Sequence, residues 1–239
     1  MRSKRDELVG NRLALVGAIV YLLEWAVIIV VAAPGPFSPD TNLDTVIDSY
    51  AKGAAGQALF ASWFSLVLLG RIAFAVGVRD PLRKSRELPL VDFAVGAMIV
   101  SVILEIAAYA VAAAAGSLAK NGADPAAVAA LNDAAFWLNL AIFTPLGVFV
   151  AMSSLAMLRS GLFPSWLCWL GLVSGTIALV GGVISGPAIG TSSSGISDAL
   201  TTIGVVGFWI WMLGTGILLF RRAGQSRPEI ARDARATTQ

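Results

Sequence analysis

Six stretches of the chain are apolar over lengths that water-soluble folds rarely contain. A helix that spans a bilayer needs about 20 consecutive, mostly apolar residues. The six stretches are Leu13–Ala33, Gln57–Val78, Val91–Leu118, Ala134–Leu158, Trp166–Ile189 and Leu200–Phe220. Charged residues make up only 13% of the 239 residues, against about 25% in soluble domains. The sequence therefore predicts an all-α, polytopic membrane protein, a six-transmembrane-helix bundle whose principal partner is the lipid bilayer.

Basic residues are segregated between the connections of these six spans. The N-terminal tail, the second and fourth connections and the C-terminal tail carry most of them, whereas the opposite side carries only Lys52 and Lys120. Basic loops face the cytoplasm in most membrane proteins, so we expect both termini to be cytoplasmic. The chain then divides into a tail (1–12), one transmembrane domain (13–220) and a basic tail (221–239) whose polar composition predicts disorder.

The first outer connection, Pro34–Gly56, contains a helical pattern of its own. Leu43, Val46 and Tyr50 recur at the spacing of one helix face, and Thr41 is placed to cap the first turn. We expect a short amphipathic helix on the outer membrane surface.

Small residues and prolines predict how the spans pack. The fifth span carries a stripe of small residues, Gly171, Gly175, Ala178, Gly182 and Gly186. Such stripes let helix backbones approach closely in lipid. Pro145 is expected to kink the fourth span and to free a carbonyl near Ala141, and Asp124-Pro125 is a typical helix start.

A few polar side chains lie inside the predicted spans, where each is costly. A charged residue at the bilayer centre costs roughly 2.5–3.5 kcal/mol on insertion scales. At about 1.5 Å per residue, these groups fall at similar depths near mid-membrane. The candidate intramembrane cluster is Glu24, Arg71, Glu105, Asn139 and Thr144.

The pairing within this cluster stays open at the level of sequence. Arg71 can reach up to Glu24 or direct its side chain down to the lipid headgroups. Pairing with Glu24 would leave Glu105 as the carboxyl that is neutral at pH 7, because desolvation disfavours the charged form. A purely structural role for either glutamate, as a hydrogen-bonding contact between helices, is an equal alternative.

The turn around Gly161 is similar to one found in known proteins. Arg159 to Leu167, with Gly161, Pro164 and Trp166, resembles an inner turn and helix start of a broad bacterial family of small multi-span proteins, catalogued only as a domain of unknown function. The resemblance implies a bacterial cytoplasmic (inner) membrane protein. It brings no activity and no catalytic residues.

Composition excludes several classes of function. The chain has no histidine and one cysteine, Cys168, so thiolate zinc sites, bis-histidine haem and histidine-based hydrolysis lack their ligands or bases. We expect no metal and no other cofactor. The net charge of +2 is too small to indicate a nucleic-acid partner.

Three hypotheses of function remain. The first is a small-molecule or lipid binding protein, or a transporter, that uses the intramembrane cluster. The second is a non-catalytic accessory or assembly subunit that contacts a membrane partner or a second copy through the fifth-span stripe and the basic tail. The third, an intramembrane enzyme acting on a lipid or isoprenoid, has no recognised catalytic motif to support it.

Overall fold

A computed structural model of the chain describes residues 4–31, 35–188 and 194–225, and no strand occurs in these ranges. Seven helices follow one another: α1 Lys4–Val31, α2 Leu43–Leu82, α3 Leu88–Lys120, α4 Pro125–Ala141, α5 Phe143–Ser160, α6 Ser165–Ala188 and α7 Ser194–Gln225.

Five segments of the described chain are long and apolar enough to cross a membrane. They are Leu43–Leu82, Leu88–Lys120, Pro125–Ser160, Ser165–Gly186 and Asp198–Ala223. A helical, multi-pass membrane protein is thus the architecture that the chain adopts. The predicted span Leu13–Ala33 coincides with α1 as far as Val31, and its last two residues lie outside the described ranges. A sixth crossing, by α1, stays a prediction.

The helices close into a ring. Helix α1 packs against α2 and α7, and α3 packs against α2 and against the α4–α5 pair. Helix α6 completes the ring between α5 and α7. Residues on the inner side of this ring therefore come together from helices that are far apart in the sequence.

A separate amphipathic helix on the outer surface is not what the structure shows. Residues from Leu43 onward are the first turns of α2, which continues without a break to Leu82. Val46 and Tyr50 are buried in a cluster with residues of α3 and α4, including Ala115. The helix continues because α3 and α4 extend equally far and offer its apolar face a protein surface instead of lipid. Its cap also differs from the expectation: Asn42, not Thr41, accepts hydrogen bonds at the N-terminus.

The segment that enters α2 is fixed by Asn132 of α4. The Asn132 side chain accepts from the Phe37 N–H and donates to the Phe37 carbonyl, each at 2.9 Å. The Tyr50 hydroxyl donates to the same amide oxygen at 3.2 Å. The connection between α1 and α2 is thereby tied to α4 by a buried side chain that the sequence analysis did not single out.

At the ends of the bundle, helices α1 and α7 extend further than the sequence predicted. Helix α1 already includes residues 4–12 of the predicted tail, and α7 continues to Gln225. The rest of the predicted disordered tail, 226–239, lies outside the described residues. Part of the predicted outer loop 190–197 also lies outside them, and α7 has begun by Ser194.

The fourth predicted span is interrupted close to Pro145, which has no backbone N–H to donate to the preceding turn. Helix α4 ends at Ala141 and α5 begins at Phe143, which confirms the expected kink. The Ser101 hydroxyl of α3 donates to the Ile142 carbonyl at 3.3 Å. The same carbonyl accepts from the Leu146 N–H at 3.1 Å, so the Ser101 contact ties this point of the chain to α3.

The stripe of small residues on α6 packs inside the bundle. A Cβ added at Gly175 would lie 2.5 Å from the Ala151 nitrogen of α5, and one added at Gly147 would lie 2.5 Å from the Leu179 nitrogen of α6. Backbone meets backbone here, as the sequence predicted. This part of the stripe is consequently covered by α5 and does not offer a surface to a partner protein.

We expect Gly175→Ala to lower the free energy of unfolding by about 1–3 kcal/mol, because an added methyl overpacks the contact between α5 and α6. Gly96→Ala on α3 is the matched control, since a Cβ there meets nothing within 4 Å. That variant should be neutral or stabilising by up to about 1 kcal/mol through helix propensity. Denaturant titration of both variants in lipid micelles tests this, and equal effects would contradict the close contact.

Candidate functional site

Close packing of α1 on α2 places two side chains of α1 beside Arg71. A Cβ added at Gly17 would lie 2.5 Å from the Gly70 carbonyl oxygen, and one added at Gly70 would lie 2.8 Å from the Tyr21 nitrogen. Without side chains at these two glycines, the helix backbones touch. Tyr21 and Glu24, one helical turn apart, are thereby brought to the level of the residue that follows Gly70.

The guanidinium of Arg71 forms an ion pair with Glu105 of α3. Both residues are buried, with Arg71 1% exposed and Glu105 7% exposed. The Arg71 guanidinium also lies over the Tyr21 ring, 4.8 Å from its centroid. Arg71 therefore does not reach the headgroups, and its ion-pair partner is Glu105 instead of Glu24. The roles that the sequence suggested for the two glutamates are exchanged.

Glu24 is 3% exposed and lies near this ion pair without joining it. Its carboxylate lies within hydrogen-bonding range of the Tyr21 hydroxyl, and the Trp209 side chain lies beside that hydroxyl. The Glu24 Oε2 atom is buried and has no hydrogen-bond partner among the described residues. Arg71 Nε is likewise buried and has no hydrogen-bond partner among the described residues. One buried acceptor and one buried donor are thus left unsatisfied within the same cluster.

These side chains face a cavity of about 280 Å³. Helices α1, α2, α3, α4, α5 and α7 all contribute to its wall, and Ile142 of the α4–α5 break does too. Its lining residues are Tyr21, Glu24, Arg71, Glu105, Tyr109, Asn139, Ile142, Phe143, Leu146, Thr201, Thr202, Val205, Val206 and Trp209. Four of the five residues proposed from the sequence therefore share one cavity.

Thr144 is the exception among the predicted site residues. It is not among the residues that line the cavity. A Cβ added at Gly182 of α6 would lie 3.0 Å from Thr144 Oγ1, so the threonine packs at the contact between α5 and α6. Similar depth along the helices does not decide which way a residue faces, and this one faces α6.

Aromatic residues form much of the wall and were missed in part. Tyr21 precedes Glu24 by three residues and Tyr109 follows Glu105 by four, so each shares a helix face with its glutamate. That spacing is the signal that would have found them. The Tyr109 ring packs against Phe64 at 4.8 Å between centroids, and Phe143 and Trp209 complete the aromatic part of the wall.

A cluster of aromatic side chains closes the cavity at one end, and we call it the aromatic floor: Phe74, Phe149, Phe208 and Trp211. Ring centroids within it lie 5.5 Å apart for Phe74 and Trp211 and 5.9 Å apart for Phe149 and Trp211. Each member is at most 1% exposed. Phe74 and Phe149 each follow a cavity residue by one helical turn, Arg71 and Leu146 respectively. The floor therefore separates the cavity from the ends of α2, α5 and α7.

The far end of the bundle, beyond the aromatic floor, carries basic side chains and their partners. Arg79 pairs with Asp92, Arg83 with Asp80 at 3.3 Å, and Arg159 with Glu87 at 3.6 Å. The opposite end, nearer the cavity, carries the segment 35–42 and the first turns of α7. The two ends of the bundle thus differ in charge.

The cavity presents charged and hydrogen-bonding side chains. Among the described residues, no group of three or more histidine, cysteine, aspartate or glutamate side chains comes together. Comparison with protein families, with curated proteins and with solved structures finds no match for this chain. What the cavity does must therefore be argued from its geometry.

The ion pair predicts an unequal response to two chemically identical substitutions. Glu105→Gln removes the partner of a buried guanidinium that cannot lose its proton, and such a loss costs about 3 kcal/mol or more. Glu24→Gln keeps an acceptor for Tyr21 and leaves the pair intact, so we expect a change within about 1 kcal/mol. Equilibrium unfolding of both variants in bicelles measures the difference. A larger loss for Glu24→Gln would contradict the pairing of Arg71 with Glu105.

Proposed function

We propose that this protein binds a small molecule in its intramembrane cavity, and that transport of that molecule is the purpose of the site. The observation that carries the proposal is the unsatisfied Glu24 Oε2 atom beside a cavity of about 280 Å³. A buried polar atom without a partner costs about 1–3 kcal/mol. A ligand that supplies a donor or a positive charge beside this atom offsets this cost, whereas an empty apolar cavity does not.

A structural role explains part of the cluster but not all of it. The Arg71–Glu105 pair alone is sufficient to hold α2 against α3. Protein interiors are otherwise packed as densely as organic crystals, and helices that need only a polar contact close around it. Glu24 and the free volume beside it have no role in such a contact, so they favour a binding function.

The cavity also indicates the size of its ligand. A cavity of about 150 Å³ lined by apolar side chains holds a molecule such as benzene. A volume of 280 Å³ is therefore suited to about a dozen non-hydrogen atoms by that comparison. Whole lipids are larger than this, although a lipid headgroup is not.

The direction of entry follows from the aromatic floor and from α7. The floor lies on the side of the basic end of the bundle. Thr202 and Val206 of α7 line the cavity and are also exposed, so the ligand enters beside this helix. Transport would require Phe74, Phe149 and Trp211 to separate.

We further propose that α1 is a sixth span and that the basic end faces the cytoplasm, with both termini on that side. The basic residues gathered at this end support the orientation. The resemblance of the turn at Gly161 supports a bacterial cytoplasmic membrane as the location. Gly161 has φ 64° and ends α5, and Pro164 precedes α6, as that turn requires.

The alternative of a non-catalytic accessory subunit finds less support. Its proposed contact surface included the stripe on α6, and Gly175 and Gly182 of that stripe face α5. The mixed polar and aromatic cavity has no part in such a function. A stoichiometric protein companion and an unaffected cavity variant would restore this alternative.

Filling the cavity should abolish binding. Val205 lines the cavity without contacting the ion pair, so Val205→Trp should remove bound small molecules that the wild type retains. Val173→Trp on the exterior of α6, at a position 53% exposed, should retain them. Native mass spectrometry of each protein in nanodiscs drawn directly from the expressing membrane measures the retained mass.

The smaller substitution Val205→Phe should reduce the retained mass less than Val205→Trp does. As a control for folding, all variants must elute from size-exclusion chromatography at the same volume as the wild type. Identical retained masses in Val205→Trp and wild type would overturn the proposal that this cavity is the binding site.

A further inference from the structure

The three charged residues of the cavity do not balance one another. Arg71 and Glu105 form a pair whose charges cancel. Glu24, which is 3% exposed, is the remaining charged residue of the lining. When ionised it leaves the cavity with one net negative charge. A single buried charge in a medium of low dielectric is costly unless a charge of opposite sign lies beside it.

The wall beside Glu24 is suited to a cation that carries carbon substituents. Tyr21, Tyr109, Phe143 and Trp209 line the cavity, and the faces of aromatic rings attract organic cations by about 2 kcal/mol when desolvated. Arg71 already occupies one face of Tyr21. Tyr109, Phe143 and Trp209 are the other aromatic residues of the wall and offer further ring surface to a ligand.

The unsatisfied donor of the cluster adds a second requirement. Arg71 Nε is buried without an acceptor among the described residues, although the guanidinium is paired with Glu105 through another nitrogen. A neutral oxygen on the ligand would satisfy Nε and leave the charge balance unchanged. An anionic group would instead restore a net negative charge next to Glu24 and Glu105.

We propose that the ligand of this cavity is a monovalent organic ammonium compound that also carries a neutral oxygen acceptor. Its ammonium group lies against Glu24 and the rings of Tyr109 and Trp209, and its oxygen accepts from Arg71 Nε. This inference rests on the proposed binding function. A free amino alcohol and an amine-bearing lipid headgroup share this chemistry.

An inorganic cation fits the same residues less well. Hard cations prefer several oxygen ligands that converge on one point. The cavity brings aromatic and aliphatic side chains to most of its wall, and those groups do not replace a hydration shell of oxygens. The composition of the wall therefore favours an alkylated ammonium group over sodium or potassium.

Choline and 3,3-dimethylbutan-1-ol provide a matched pair of probes. They have the same shape and the same hydroxyl, but only choline is charged. We would titrate each into the full chain in phosphatidylglycerol nanodiscs, which contain no lipid amine, and follow binding by calorimetry. Wild type should bind choline saturably and at least tenfold more tightly than the neutral probe, and sodium at the same ionic strength should not compete.

Variants assign the affinity to the residues proposed. Glu24→Gln should weaken choline binding at least tenfold and leave binding of the neutral probe unchanged. Tyr109→Leu should weaken choline binding, whereas Tyr109→Phe, which keeps the ring face, should not. The tyrosine pair keeps the inference testable if Glu24→Gln fails to fold.

The outcomes separate this inference from the proposed function. Equal affinity for the two probes overturns the ammonium class and leaves the binding function standing. The same conclusion follows if wild type retains a neutral ligand while choline, tetramethylammonium and methylammonium all fail to bind. Failure of every probe, together with identical retained masses in Val205→Trp and wild type, overturns both.

Exchanging the lipid identifies the source of the ammonium. If phosphatidylethanolamine nanodiscs lower the apparent affinity for choline, the headgroup occupies the cavity. An unchanged affinity assigns the site to a free solute.

Discussion

A guanidinium in the middle of a bilayer must have a partner, and this requirement organises the first three helices. Arg71 cannot lose its proton and is 1% exposed, so the ion pair with Glu105 fixes how α2 and α3 face each other. The same arginine covers the Tyr21 ring of α1, and the contact between Gly17 and Gly70 makes that approach sterically feasible. The cavity is the space that remains beside these three helices when α4, α5 and α7 complete the ring.

The two halves of the bundle are packed by different means. Toward the basic end, Phe74, Phe149, Phe208 and Trp211 fill the centre of the ring with rings set edge to face. Toward the other end, the helices leave a cavity whose wall includes Ile142, Phe143 and Leu146. The residues next to Pro145 therefore lie at the level where dense packing gives way to the cavity.

Much of the fold was predictable because lipid imposes simple rules on sequence. Long apolar stretches located five segments that are long and apolar enough to cross a membrane. The glycine spacing on α6 predicted a close contact between helix backbones, which the structure forms with α5. The boundary of α2 was wrong because a pattern along one helix face does not say whether lipid or protein covers that face. Val46 and Tyr50 are covered by protein, so the helix continues where a surface helix was expected.

The candidate site was predictable in depth but not in direction. Rise per residue placed Glu24, Arg71, Glu105 and Asn139 at one level, and all four line the cavity. Rotation about the helix axes decides which glutamate meets Arg71 and whether Thr144 faces inward, and it depends on contacts between helices such as those at Gly17, Gly70 and Gly182. The α7 residues of the wall, such as Thr202 and Trp209, depend on closure of the ring, which no local pattern reveals.

The internal neutrality of the Arg71–Glu105 pair also has an electrical consequence. A neutral pair can shift along the membrane normal without doing net work against the membrane potential. A cation that travels to Glu24 does cross part of that potential, and a full crossing is worth about 2.3 kcal/mol per charge for each 100 mV. In the proposed orientation, with the basic end facing a negatively charged interior, the resting voltage would draw cations inward from the opposite face. Occupancy at Glu24 by the proposed ligand would then depend on voltage, whereas the position of the ion pair would not.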